Sequence, residues 1–192
     1  MKMDMATASR KFDYGFPALL GFEFLEWEEG RAVLGLKVEQ RHLNLADRVH
    51  GGVLATLLDV AGACAGTWCP YPDRIRKAIT LSMTTTFTGQ SGLGYIRAIG
   101  TRRAGGSRIF NSTVDILDEN DQLLIIGEGT FRLRSGSEDP RGQPWTADGP
   151  PPSLDMLRCR SGDIRGRYRL KYRRPTTLDQ YARAAGSAPP PC

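Results

Sequence analysis

The stretch that decides the fold is GGVLATLLDVAGACAGTW, residues 51–68. Within it Leu54, Leu57, Leu58, Ala61 and Ala65 recur at i, i+3, i+4, i+7 and i+11, which is helical spacing. The segment is small and apolar almost all round, so it predicts a helix buried by its surroundings. Pro70 and Pro72 are expected to end it. Upstream, FEFLEWEEGRAVLGLKV (residues 22–38) alternates on both sides of Glu29-Gly30, the pattern of a hairpin. A polar connection, QRHLNLADR, joins that hairpin to the helix. Downstream come four strand-like runs, roughly 78–88, 95–103, 108–117 and 123–133, separated by GQSGLG, AGGS and DENDQ. One helix cannot cover such a sheet on both faces. The expected class is therefore α+β, a sheet wrapped round one central helix.

The charge is unevenly divided along the chain. Residues 1–134 carry 16 Lys+Arg against 15 Asp+Glu, whereas residues 135–192 carry 10 against 6 and hold nine of the twelve prolines. Only six of those last 58 residues are Ile, Leu, Met, Val or Phe, too little apolar surface to offset the entropy of ordering. The expected organisation is a domain over 1–134 and a Pro- and Arg-rich, irregular tail over 135–192. No apolar run approaches the roughly 18 residues of a membrane span, and MKMDMATASRKFDYG lacks the apolar core of a signal peptide. Cys64, Cys69, Cys159 and Cys192 follow neither metal nor disulfide spacing. The expected setting is the reducing cytoplasm, with no metal and no cofactor.

The helix carries one anomaly. Between Gly51 and Pro72 the only charged side chain is Asp59, set among Leu57, Leu58, Val60 and Ala61. A carboxylate buried there is expensive unless it is hydrogen-bonded, paired or used. The plainer alternative is a structural Asp bonded to a neighbouring strand. At the helix start, His50-Gly51-Gly52 offers unpaired N–H groups at the positive end of the dipole, and the glycines let a ligand approach. Gly51 and Asp59 lie eight residues apart, about 12 Å along a helix. If both act on one carbon, the site must be shared by two antiparallel helices of a dimer.

Residues 42–66, HLNLADRVHGGVLATLLDVAGACAG, resemble the signature of PaaI-like hotdog-fold acyl-CoA thioesterases. The resemblance runs over about residues 15–134 and includes AITLSMTTTF and GEGTFRL. It implies a hotdog fold, an antiparallel sheet around a central helix, dimerising edge to edge and often forming a dimer of dimers. It also implies hydrolysis of acyl-CoA, aryl or medium-chain, with coenzyme A entering as part of the substrate. Asp59 falls on the catalytic carboxylate, acting as general base or nucleophile, and Gly51 on the residue whose N–H polarises the thioester carbonyl. Asn44 falls on the Asn that orients carbonyl or water, and Thr80 on the Ser or Thr beside the carboxylate. His50 matches the histidine of HGG and is taken to shape the loop, with Gly52 beside it contacting substrate. The plainer alternatives are a turn residue for Asn44 and a β-branched strand residue for Thr80.

Two departures from the family pattern stand out. Asp47 followed by Arg48 occupies the place where the family has Gly before its Val-His pair, and FTGQSG replaces a Pro-containing turn. Arg102, Arg103 and Arg108 flank the AGGS turn, where relatives often place contacts to coenzyme A; solvated strand ends are the alternative. Leu54, Leu58 and Met83 are candidate walls of the acyl pocket. The tail segment 158–174, RCRSGDIRGRYRLKYRR, interleaves eight basic residues with aromatics, yet no nucleic-acid module accompanies it, so an exposed extension is favoured over nucleic-acid binding. A non-catalytic acyl-CoA sensor or carrier, and a dehydratase using a His base, remain the alternatives in function.

Overall fold

A computed structural model describes residues 4–13 and 15–145 of the 192. Two short helices, α1 (Met5–Arg10) and α2 (Gly15–Leu20), precede a hairpin of β1 (Glu23–Glu28) and β2 (Arg31–Val38). A single 3₁₀ turn (Gln40–His42) leads to α3 (Gly51–Gly66). Then follow β3 (Arg74–Ile75), β4 (Ala78–Phe87), β5 (Gly94–Gly105), β6 (Ile109–Leu117), β7 (Leu123–Leu133) and β8 (Gln143–Pro144). Six strands form one antiparallel sheet in the order β1-β2-β5-β6-β7-β4, and β3 pairs with β8 in a separate ribbon.

The hairpin closes on the two-residue turn Glu29-Gly30, with Gly30 at φ +81°, a left-handed conformation that glycine takes without a steric cost. The sheet curls round α3, whose Leu57, Leu58 and Ala61 are fully buried against Leu34, Ile96, Ala98, Val114 and Ile116. Helix and sheet backbones meet almost directly at Gly100, where a Cβ would come within 2.2 Å of the Ala61 carbonyl oxygen. Only glycine permits that approach. Trp27 adds a directional tie, its indole N–H donating to the Cys64 carbonyl at 2.8 Å.

The helix stops earlier than its prolines suggest. It ends at Gly66, where the Thr67 N–H bonds Cys64 O and the Thr67 hydroxyl bonds Ala63 O. Arg76 then donates to the Trp68 carbonyl at 3.3 Å. Local capping, not proline, terminates α3.

The boundary expected at Ser135 falls inside packed structure. Ser137 is fully buried, its hydroxyl accepts Lys77 N–H, and its carbonyl accepts from Arg76. Arg74 donates to the carbonyls of Arg141 and Gly142, Cys69 Sγ lies 3.3 Å from Arg141 O, and Trp145 N–H bonds Asp73 O. Apart from the Trp145–Asp73 backbone bond, these bonds link side chains to backbone, and none carries hydrophobic periodicity, which is why composition alone reads the segment as irregular. The basic run 158–174 lies outside the described residues. Among the described residues no helix is long and apolar enough to cross a membrane.

Strand β4 is an edge, and its register slips between Thr80 and Ser82, with Leu81 as the extra residue. The bulge reverses the alternation. Thr80 pairs with buried Phe131 on the helix side; beyond the bulge Met83, Thr85 and Phe87 pair with buried Gly129, Gly127 and Ile125. Leu81, Met83 and Phe87 are 49%, 40% and 56% exposed, an apolar edge open in the single chain.

Candidate active site

The loop before α3 is built by Asn44. Its Oδ1 accepts N–H bonds from Ala46 (2.9 Å) and Arg48 (3.2 Å), while Asn44 N–H bonds Arg48 O. The Asn44 oxygen is thereby committed to the loop, and the amide Nδ2 is the end left to meet a substrate. Within this turn Asp47 takes φ +55°, a left-handed conformation that explains why a glycine suits this position.

His50 is the N-cap of α3, its Nδ1 accepting from Gly52 N–H at 2.9 Å. An imidazole with Nδ1 as acceptor carries its proton on Nε2. The Val53 and Leu54 N–H groups return to the His50 carbonyl. Gly52 N–H is therefore occupied, and Gly51 N–H has no partner among the described residues. It is a donor at the positive end of a 16-residue helix. Gly51 opens onto a pocket of about 350 Å³ lined also by Asn44, Leu54, Phe87 and the turn 88–91.

Asp59 sits two turns further along α3, half-exposed rather than enclosed, on the helix face turned toward β4. Thr80 Oγ1 donates to Asp59 Oδ1 at 2.5 Å. The bulge that follows Thr80 lets the strand keep this hydroxyl on the helix while continuing inward with Met83. Oδ2 is left for another partner.

The sequence candidates thus fall into two groups within one chain. Asn44, His50, Gly51 and Gly52 gather at the helix start, and Asp59 with Thr80 forms a second cluster that does not line the Gly51 pocket. Of the candidate acyl walls, Leu54 lines that pocket, Leu58 is sealed in the core and Met83 lies on the open edge. The arginines diverge. Arg103 Nε bonds Thr113 Oγ1 at 2.7 Å and Arg108 is exposed, whereas Arg102 lines a separate cavity at the far end of α3. The Gly51 pocket also takes in Phe87 and the turn 88–91, within the FTGQSG stretch that departs from the family pattern, though nothing in the sequence brings it to the helix start. Their place depends on where β4 ends against the helix start, and no local pattern encodes that.

No family model matches the chain. A mutant structure of the phenylacetic acid degradation protein PaaI from Thermus thermophilus superposes with TM-score 0.53 at 27% identity, covering 61% of this chain and 96% of that one. Thioesterase superfamily member 2 of zebrafish gives TM-score 0.58 at 25% identity, covering 69% and 99%. Its fold is the hotdog fold of these PaaI and thioesterase-superfamily structures. This hotdog chain is also 24% identical over 120 residues to a 1,4-dihydroxy-2-naphthoyl-CoA hydrolase of Listeria monocytogenes, across 62% of this chain and 96% of the relative.

Proposed function

We propose that this hotdog protein is an acyl-CoA thioesterase whose active site is completed by a second copy of the chain. The observation that carries the reading is the Gly51 N–H, unpaired among the described residues, on the same helix as the Thr80-bonded Asp59, eight residues on. Thioester hydrolysis builds negative charge on the carbonyl oxygen, and an N–H at a helix start stabilises that charge as it forms. Asn44 Nδ2 is the second donor available at the same mouth.

Asp59 acts as general base. Thr80 fixes one carboxylate oxygen, and the other takes a proton from water as that water attacks the carbonyl carbon. Collapse of the tetrahedral intermediate breaks the C–S bond. The thiolate is a good leaving group, so no strong acid is needed; it takes up the proton and departs as coenzyme A, leaving the free acid. No cofactor enters this sequence. A reducing compartment suits the unpaired, buried thiols of Cys64 and Cys69.

Roughly 12 Å of helix separates Gly51 from Asp59, too far for one carbon to meet both in a single chain. Edge-to-edge pairing through β4 of two copies covers Leu81, Met83 and Phe87 and brings the Gly51 end of one helix to Asp59 of the other. Assembly into a dimer of dimers extends the same reading.

The test is thiol release from a panel of acyl-CoAs by wild type beside Asp59→Asn. Turnover in wild type and its loss in the variant, with acyl-CoA binding kept, support the enzyme. Binding without turnover in both would instead make the chain a carrier or sensor. Mixing Asp59→Asn with Gly51→Pro tests the shared site. Neither variant is active alone, and random pairing restores about a quarter of the sites, because half the dimers are mixed and each holds one intact site. No recovery in exchanging dimers would place both groups in one chain.

A further inference from the structure

At the end of α3 remote from Gly51 lies a second cavity, of about 470 Å³. Arg76 and Arg102 share its wall with Trp68 and Tyr71. Neither arginine forms an ion pair among the described residues. Arg76 spends Nε on Ser137 O (2.9 Å) and Nη1 on Trp68 O (3.3 Å), leaving Nη2. Among the described residues the Arg102 guanidinium makes only a long bond from Nη2 to Gly106 O, at 3.4 Å, and lies 5.6 Å over the Phe110 ring.

Two guanidiniums facing one half-enclosed space repel each other. Burial, and next the charge of Arg102, lower the Arg76 pKa against the pull of Cys69, Asp139 and Glu29. Arg141, on the same wall, is neutralised by a two-pronged bond to Asp139. Glu138 also lines the cavity, and its carboxylate accepts Gly136 N–H. An anion between Arg76 and Arg102 relieves the repulsion and takes the donors left over. The two aromatic side chains offer faces for a flat ring, and the volume falls within the range of small-molecule sites.

We propose that this cavity binds a nucleoside phosphate, with the phosphate between Arg76 and Arg102 and the base against Trp68 and Tyr71. The cavity begins at Ala65, about 9 Å along the helix from Asp59, so it does not hold the reacting carbon. The ligand chemistry has two sources, the nucleotide end of the acyl-CoA or a free nucleotide acting as effector. The first deepens the thioesterase reading and rests on it; the second does not.

Calorimetry with adenosine 3′,5′-bisphosphate, and with inorganic phosphate for comparison, tests the site on the full chain. Wild type is expected to bind the bisphosphate, and Arg102→Gln to weaken it tenfold or more. Arg76→Lys, which keeps the charge near Ser137, serves as a second variant, with circular dichroism to establish folding. No binding at millimolar bisphosphate, or equal binding in wild type and both folded variants, overturns the proposal. Because calorimetry needs no turnover, this result stands whether or not the chain is a thioesterase. Kinetics then separate the sources. If the nucleotide end of the substrate binds here, Arg102→Gln raises KM for an acyl-CoA more than for the matching acyl-pantetheine. If a free nucleotide binds, the bisphosphate alters acyl-pantetheine turnover in wild type and that difference in KM is absent.

Discussion

Replacing Gly51 by proline removes one hydrogen from the proposed machinery and little else. Gly51 is the first residue of α3, a position where proline is favoured because its missing N–H has no helical partner. The residue before it must be extended, and His50 already lies at φ −62°, ψ 134°. The His50 cap to Gly52 and the Val53 and Leu54 bonds to His50 O do not involve the Gly51 N–H. The one contact is with the Phe87 ring, 3.2 Å from where a Cβ would stand, and that ring is 56% exposed and free to give way. Stability is therefore expected to change by under about 1 kcal/mol, stiffening of the unfolded chain opposing the crowding. Loss of a single oxyanion donor costs about 3–4 kcal/mol of transition-state stabilisation, or roughly 10²- to 10³-fold in kcat. The assay is thiol release under saturating acyl-CoA, with thermal unfolding in parallel. Gly51→Ala is the control, since it meets the same ring but keeps the N–H, and it should retain most of the rate. A folded Gly51→Pro protein turning over at nearly the rate of Gly51→Ala would refute the oxyanion role.

Thr80→Val removes the hydroxyl that fixes Asp59 at nearly constant shape, and should lower kcat by about 10- to 100-fold, the worth of a hydrogen bond to a charged group, with KM little changed. Asp47→Gly relieves the left-handed strain at that residue and should raise stability by about 1 kcal/mol, read as a higher midpoint in urea. A pH dependence of stability follows from His42. Its imidazole is fully buried, with Nδ1 accepting Glu39 N–H. Burial, then the Arg41 charge, hold its pKa below 6.5 against the pull of Glu39 and the Leu20 carbonyl. Above pH 6.5 both folded and unfolded chains carry it neutral and it contributes no slope. Below 6.5 the unfolded chain takes up a proton that the folded chain refuses, so stability should fall until the pH passes the folded value. Unfolding midpoints from pH 7.5 to 5 should show this decline, and His42→Gln should flatten it.

Much of the fold was legible because apolar spacing encodes it. The pattern of Leu54, Leu57, Leu58 and Ala61 is the core of α3, and the strand-like runs fall within a few residues of β1, β2 and β4 to β7. What escaped is held by directional bonds with no period. α1 depends on Asp4 capping Thr7 N–H, and the closing segment depends on Arg74 and Arg76 reaching backbone carbonyls. The site was legible as a list of residues and not as an arrangement. Thr80 touches Asp59 only because a bulge redirects the strand, and Asn44 Oδ1 is spent inside its own loop. Arg102 and Arg103, adjacent in sequence, go separate ways, one to a cavity wall and the other to Thr113.

Lys11 is fully buried beneath the closing segment. Its ammonium bonds the carbonyls of Tyr71 and Arg74 and lies 5.3 Å from the centre of the Trp145 ring. A residue near the start of the chain is thus roofed by one at the end of its described part. On the ribosome, Lys11 emerges before its cover, so this corner cannot close until the chain has been made as far as Trp145. The charge stays hydrated in the meantime, which opposes burial of this segment before its carbonyl partners are in place. Any shortened version of the chain should accordingly be cut beyond Trp145, because a cut at Ser135 strips the roof from a lysine that the rest of the fold has already drawn inside.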